Sequence, residues 1–335
     1  MPQFKDFISP LINSEKYSIT PLAGDASTRR YYRVVDNRKS WVLMEWEPFD
    51  QIADFPFFSV QKYFNEQGVR VPDIISYDKD IGLFLLEDLG DLTLERRFWE
   101  FQNQEVVMPF YEKSLDQLIK IHSLVFTNQD KRTCTAYHNE FNVEKLLWEL
   151  NYAKKYLLKE FLQISMDTDT EKKLEQEFED LCSDLYKSPQ VICHRDFHSR
   201  NIMLMYDEVV IIDFQDARLG PPAYDLVSLF YDSYVKLSQG SMDHLMKYYV
   251  TNFKEFDQLG ISEKDWNYYF DLQVIQRCFK ACGSFASFKV TRDDNRYLKY
   301  IGPTLTTVSQ QLQKTGRLPL LNDILNSNKG NWENL

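Results

Sequence analysis

The order of apolar and polar positions divides the chain in two. Short apolar runs come first: Tyr17–Ala23 and Thr28–Val35 read as a hairpin, and Ser40–Trp46 as a third strand. Asp50–Gly68 then carries Phe57, Phe58, Val60, Tyr63 and Phe64 as one broad face, which predicts a helix stopped by Gly68. Val71–Tyr77 reads as extended, and Gly82–Glu87 as another strand running into Asp88-Leu89-Gly90-Asp91. Beyond this point the period becomes helical. Gln104–Leu124 repeats Val107, Phe110, Tyr111, Leu115, Leu118, Ile119 and Ile121, with His122 near its end as a packed or capping residue. Glu140–Phe161 and Thr170–Tyr186 are two more amphipathic helices. After the break Leu219-Gly220-Pro221-Pro222, further helices are expected over Ala223–Leu237, Ser241–Phe256, Glu263–Phe285 and Asn295–Gln313. Their aromatic stripes (Tyr248, Tyr249, Phe253; Tyr268, Tyr269, Phe270) read as core. The pattern predicts an α+β chain: a small sheet-plus-helix lobe over 1–86, a hinge at 87–91, and a larger mainly helical lobe over 92–335.

Composition narrows the partners. The chain has 335 residues, of which 44% are apolar, enough to fill two packed lobes. A formal net charge of −11 disfavours a broad grip on a nucleic-acid polymer, though it leaves room for a small, locally basic nucleotide pocket. The five Cys form no CxxC, which fits ordinary burial in a reducing compartment. The N-terminal residues show no basic region followed by an apolar core, and no apolar run approaches the roughly 20 residues of a membrane span. A cytoplasmic protein with no membrane or protein partner is expected. The polar, weakly patterned end, Asn322–Leu335, is expected to be disordered.

Chemistry gathers in Val191–Phe214, VICHRDFHSRNIMLMYDEVVIIDF, which reads as strand, loop, strand, turn, strand. That arrangement brings the polar ends Asp196, Asn201 and Asp213 toward one edge. Two carboxylates and a carboxamide are hard oxygen ligands of the kind Mg²⁺ takes. His194-Arg195-Asp196 with Asn201 five residues after the Asp matches a kinase catalytic loop, where the Asp accepts the substrate hydroxyl proton. Asp213-Phe214-Gln215 stands where a kinase has its metal-binding Asp-Phe-Gly. A lone HRD or DF pair arises by chance and an Asp at a strand end is often a turn residue, so the weight rests on the joint pattern.

Other candidates are less specific. Gly24, Asp25, Ala26 and Ser27 could cover nucleotide phosphates with backbone N–H groups, or form a plain hairpin turn. Glu87 to Leu89 could meet adenine through backbone groups, or simply link the lobes. In the catalytic loop His198 and Arg200 face acceptor or phosphate, and the Arg200 guanidinium is the better phosphate contact. The third strand reads Val42-Leu43-Met44-Glu45, without the phosphate-gripping Lys that kinases carry there. Either Lys39 or one of Arg29, Arg30 and Arg33 replaces it, or metal and backbone hold the phosphates.

The stretch HRDFHSRNIM…VVIIDFQDARLGPPAYDLVSL resembles the aminoglycoside phosphotransferase-like kinase superfamily, which also contains choline and homoserine kinases. With GDAS-TRRYYR, the Lys-free VLME strand and LLEDLGD, it looks most like the bacterial anomeric N-acetylmuramate/N-acetylglucosamine kinases. The resemblance spans residues 22–230 and leaves the later helices unmatched. It implies a protein-kinase-like bilobal fold and ATP-dependent phosphorylation of a small hydroxylated substrate, an amino sugar of cell-wall recycling. Asp196 is then the catalytic base, Asn201 and Asp213 hold Mg²⁺, Asp225 steadies the catalytic loop, and Gly24–Ser27 cover the phosphates. Two rivals stand beside it: the same reaction on an aminoglycoside, choline or another small alcohol, and a nucleotide-binding pseudokinase scaffold motivated by the missing Lys.

Overall fold

The computed structural model describes residues 2–12, 16–22, 29–37, 39–51, 55–101, 103–127 and 131–335. Strands β1 (Ser18–Pro21), β2 (Arg30–Val35), β3 (Ser40–Glu45), β4 (Ile74–Asp78) and β5 (Leu83–Glu87) form one antiparallel sheet ordered β1-β2-β3-β5-β4. Side chains alternate across it, and both faces are covered. Leu43, Leu83 and Leu85 pack on Phe4 and Ile8 of helix α1 (Pro2–Ile12). Met44, Phe84 and Leu86 join Phe57, Val60 and Phe64 of helix α2 (Pro56–Glu66). Double burial is why β5 reads as a continuous apolar run rather than an alternating one.

Helix α2 starts later than its apolar pattern predicts. Pro56 opens it, in the position where a missing N–H costs nothing, while Phe55 stacks at 4.1 Å on Phe49. It ends as expected: Gly68, at φ +76°, takes the left-handed turn, and Val69 N–H returns to Phe64 O at 2.9 Å.

The rest of the chain is mainly helical: α3 (Leu94–Phe101), α4 (Gln104–Ser123), α5 (Val143–Ala153), α6 (Thr168–Tyr186), α7 (Pro222–Phe230), α8 (Gln239–Asn252), α9 (Glu263–Arg292), α10 (Ile301–Thr315) and α11 (Pro319–Ser327). Set among them are two short ribbons. β6 (Val191–Cys193) pairs with β9 (Arg218–Gly220), and β7 (Ile202–Met205) pairs with β8 (Glu208–Ile211). No helix among the described residues is long and apolar enough to cross a membrane.

Several boundaries differ from the sequence pattern for physical reasons. The expected single helix over 140–161 is capped by Asn142, whose side chain accepts from Lys145 N at 2.8 Å, and widens to a π-helix over Lys154–Phe161. At that change of pitch α9 comes very close. A Cβ on Gly283 would lie 2.4 Å from Ala153 Cα, so only glycine fits. Helix α7 stops at Phe230 and not at Leu237, and the turn that follows carries Asp232 and Tyr234 toward β6 and its loop. The C-terminal end is packed rather than disordered: α11 forms, and Trp332 is 1% exposed with its Nε1–H donated to Leu325 O at 3.0 Å. His122 is packed, its Nδ1 2.7 Å from Tyr249 Oη. Tyr249 and Phe253 are core, as the pattern predicts, whereas Tyr268 is 38% exposed and donates to Asp184.

Candidate active site

Strand β6 ends at Cys193 and delivers His194-Arg195-Asp196 into a tight loop. The loop is held from below by Asp225, in the first turn of α7, which is fully buried. Its two carboxylate oxygens accept His194 N–H at 2.6 Å and Arg195 N–H at 2.9 Å. Aspartate suits this place because the chain turns there and two amide hydrogens would otherwise be buried without partners. His194 Nε2 donates to Ile212 O at 2.9 Å, and Ile212 N–H donates to Asn201 O at 3.0 Å. These bonds tie the loop to Ile212, between the end of β8 and Asp213. Arg195 at φ +85° and Asp213 at φ +63° both occupy left-handed backbone. Non-glycine residues are held there only when their surroundings fix them, and such positions concentrate at functional sites.

Asp196, Asn201 and Asp213 all line one cavity of about 950 Å³ between the sheet and the helical half. Asn201 turns its amide N–H to Asp196 O at 2.9 Å, which leaves its carbonyl oxygen as an acceptor. Asp213 receives Arg29 at 2.9 Å and Gln215 Nε2–H at 3.0 Å, both on Oδ1. A cation thus already sits at the Asp213 carboxylate. The carboxylate and the carboxamide oxygen together form a hard donor set that fits Mg²⁺. Arg29 also lies over the Trp46 ring, 4.9 Å from its centroid.

Asp196 is surrounded by positive charge. Lys280 Nζ lies 3.6 Å and Arg277 Nη2 3.5 Å from Oδ1, and Arg195 Nε 4.0 Å from Oδ2. Burial alone would raise this carboxyl, but Lys280, Arg195 and Arg277 hold it well below the usual carboxylate range. His198, also on the cavity wall, is pushed by burial down to about 4, against the pull of Asp196, and is neutral at physiological pH. Asp232 accepts Ser199 N–H and Tyr234 N–H, and burial raises it to about 6. The far wall is one face of α9, from Arg277 and Lys280 through Ser284 and Ser287 to Phe288. At 1.5 Å per residue this wall runs roughly 16 Å. Trp148 and Tyr152 of α5 flank the same cavity, with Trp148 53% exposed.

The residues singled out from sequence fall unevenly on this site. Glu87 and Leu89 line the cavity. Glu87 N–H is bonded to Asp73 O at 3.0 Å, so only its carbonyl can meet a base edge, and its carboxylate pairs with Arg70. Gly24, Asp25, Ala26 and Ser27 lie outside the described residues. Arg200 is engaged elsewhere. Its guanidinium is bound to Glu95 at 2.8 and 3.0 Å and stacks 3.6 Å from the Tyr234 ring, behind that lining residue. Lys39 is exposed in the turn before β3, while Arg29 and Arg33 line the cavity. Arg277 and Lys280 were missed. Their signal is two cations three residues apart in a stretch otherwise poor in charge, Leu272–Phe288.

The family model for APH, the phosphotransferase enzyme family, matches residues 18–254. The chain is 25% identical to a N-acetylmuramate/N-acetylglucosamine kinase of Neisseria meningitidis, across 88% of this chain and 86% of that protein. It is 28% identical to a protein of the same name from Pseudomonas aeruginosa, across 84% and 79%. In structure it is similar to a choline kinase from Cryptosporidium parvum (TM-score 0.65, 12% identity, 96% of this chain and 99% of that one). An ADP-bound aminoglycoside phosphotransferase is also similar (TM-score 0.60, 14% identity, 92% and 98%). The fold is the protein-kinase-like bilobal one, with a small sheet-plus-helix lobe and a larger, mainly helical lobe. The chain belongs to the phosphotransferase enzyme family and is itself a phosphotransferase.

Proposed function

We propose that this enzyme transfers the γ-phosphoryl of ATP to the anomeric hydroxyl of an N-acetylated amino sugar, N-acetylmuramate or N-acetylglucosamine. The carrying observation is the position of Asp196, on one cavity with Asn201 and Asp213 on one side and the polar face of α9 on the other. Asp196 orients and deprotonates the acceptor hydroxyl, and catalysis is mainly positioning and electrostatics. Asn201 and Asp213 are the residues that would hold Mg²⁺, which when bound neutralises phosphate charge. The connector 87–91 acts as the hinge between residues 1–86 and 92–335, and the carbonyl of Glu87 with the backbone of Leu89 meets the adenine.

The names of the curated relatives support an amino sugar as acceptor. Charge supports it too. Arg277 and Lys280 stand beside the base, so a cationic acceptor such as choline or an aminoglycoside would meet repulsion at the reacting centre. An anomeric hydroxyl is more acidic than an ordinary alcohol, which suits a carboxylate as strongly ion-paired as Asp196. The test is to incubate the enzyme with MgATP and either sugar and examine the product by phosphorus and proton NMR. Coupling of the new phosphorus to the anomeric proton, with no reaction of the 1-O-methyl glycoside, is the expected result. Phosphorylation at another hydroxyl, or turnover only with choline or aminoglycosides, would overturn it.

A further inference from the structure

Phosphoryl transfer needs a cation that can follow the transferring group. Among the described residues, the basic side chains lining the cavity are Arg29, Arg33, Arg195, Arg277 and Lys280. Arg29 stands on Asp213 at 2.9 Å, Arg33 on Asp88 and Asp91 at 2.8 and 2.9 Å, and Arg195 on Asp216 at 3.1 Å. Arg277 also faces Asp196, at 3.5 Å, but is anchored by its Nε–H on Ser228 Oγ at 3.0 Å. Lys280 differs from all four. Within the same described residues its nearest anion is Asp196 Oδ1 at 3.6 Å, beyond hydrogen-bond distance, and its side chain is 14% exposed. A compact ammonium on a four-carbon stem can turn between partners, which a guanidinium fixed in a fork does poorly.

The charges of the reaction say where it must turn. Before transfer, Asp196 is an anion and Lys280 balances it. During transfer the acceptor oxygen forms a bond to the γ-phosphorus, and the bond from that phosphorus to the bridging oxygen of ADP breaks. Its electron pair leaves with ADP, and the hydroxyl proton passes to Asp196. Asp196 is then neutral, and a nearly buried ammonium has lost its counter-charge, which is costly unless another anion arrives. That anion is the phosphoryl group, now attached to the very oxygen that Asp196 held. A cation 3.6 Å from the base is next to the reacting oxygen, not beside a remote substituent of the acceptor.

We propose that Lys280 is a catalytic residue: it pairs with Asp196 at rest and takes the phosphoryl oxygens as the proton moves to Asp196. The proposal rests on reading Asp196 as the base but not on the identity of the sugar. The experiment compares wild type with Lys280→Met, Lys280→Gln and Lys280→Arg, each first checked for its thermal midpoint. MgADP with aluminium fluoride mimics the transferring phosphoryl group and needs no acceptor, so it reads Lys280 independently of the sugar. Lys280→Met and Lys280→Gln are expected to bind MgADP as wild type does, and to lose about 10²-fold in affinity for the aluminium fluoride complex. The kcat should fall by a similar factor with KM for the acceptor little changed, and Lys280→Arg should recover part of both. Unchanged aluminium fluoride affinity would overturn the proposal. So would a raised acceptor KM at intact kcat, which would make Lys280 an acceptor-binding residue. If wild type forms the aluminium fluoride complex yet phosphorylates neither amino sugar, the sugar assignment fails, while the affinities of the Lys280 variants still decide the role of Lys280.

Discussion

Arg29 and Asp213 are joined by a 2.9 Å ion pair although they stand 184 positions apart in the chain. The pair bridges the cavity between the residue before β2 and the second residue after β8, and it puts a guanidinium on a carboxylate whose oxygens suit a divalent cation. A metal held by Asp213 would share that anion with Arg29. Asp213→Ala should abolish the Mg²⁺ dependence of nucleotide binding as well as turnover. Calorimetric titration with ADP, with and without Mg²⁺, measures it; wild-type affinity and metal dependence in the variant would remove Asp213 from the metal site.

Asp196→Asn keeps the shape of the side chain and removes the proton acceptor. The kcat should fall by at least about 10²-fold, the low end for general-base catalysis, with MgADP affinity little changed. Activity within a few-fold of wild type would show that Asp196 is not the base.

Asp225 should matter to stability and rate together. Alanine there leaves the N–H groups of His194 and Arg195 buried without an acceptor. The expected loss is about 2–4 kcal/mol in denaturant unfolding, accompanied by a lower kcat because the loop bearing Asp196 is no longer fixed. Full stability in Asp225→Ala would mean that the two amides find other partners.

Asp232 predicts a pH dependence with a definite sign. Burial raises it to about 6 from an ordinary value of 3.8, so the folded protein holds the proton where the unfolded chain has released it. Its contribution to stability is fully present below pH 4 and is lost as pH rises through about 6, a change of about 3 kcal/mol. Asp232→Asn cannot ionise. Its stability relative to wild type should therefore improve between pH 4 and pH 7, although it gives up one of two backbone acceptors. Parallel unfolding curves at several pH values decide it; a constant difference would count against the shift.

The parts of the site that the sequence reveals are the local ones. Asp196, Asn201 and Asp213 sit on one loop and one hairpin, so their spacing alone nearly determines their meeting. Arg200 belongs to the same loop, yet the short helical turn Ser199–Asn201 sends its side chain outward to Glu95 and Tyr234, and spacing does not report that direction. Arg277 and Lys280 lie on a helix buried on nearly every side, whose rotation is set where Gly283 meets Ala153. A helix buried on nearly every side has no polar stripe to say which residues look into a cavity. The C-terminal end misleads for a similar reason. Trp332 is a single apolar residue without a pattern around it, and its burial depends on helices far earlier in the chain.

The β7–β8 ribbon is stitched to its surroundings along both edges. Leu204 N–H donates to Leu92 O, just past the connector, and Ile211 N–H donates to Arg70 O, just before β4, each at 2.8 Å. Arg70 itself reaches Glu87 at the end of β5 and Glu208 in the ribbon. The ribbon is thus a strut that cannot be left behind when the sheet tilts against the helices. Its two strands lead directly from Asn201 and into Asp213, so any tilt pulls on the oxygens that would hold the metal. The sheet and the pair Asn201 and Asp213 are thus joined through one short ribbon, and a substitution that loosens the ribbon acts on both ends of it.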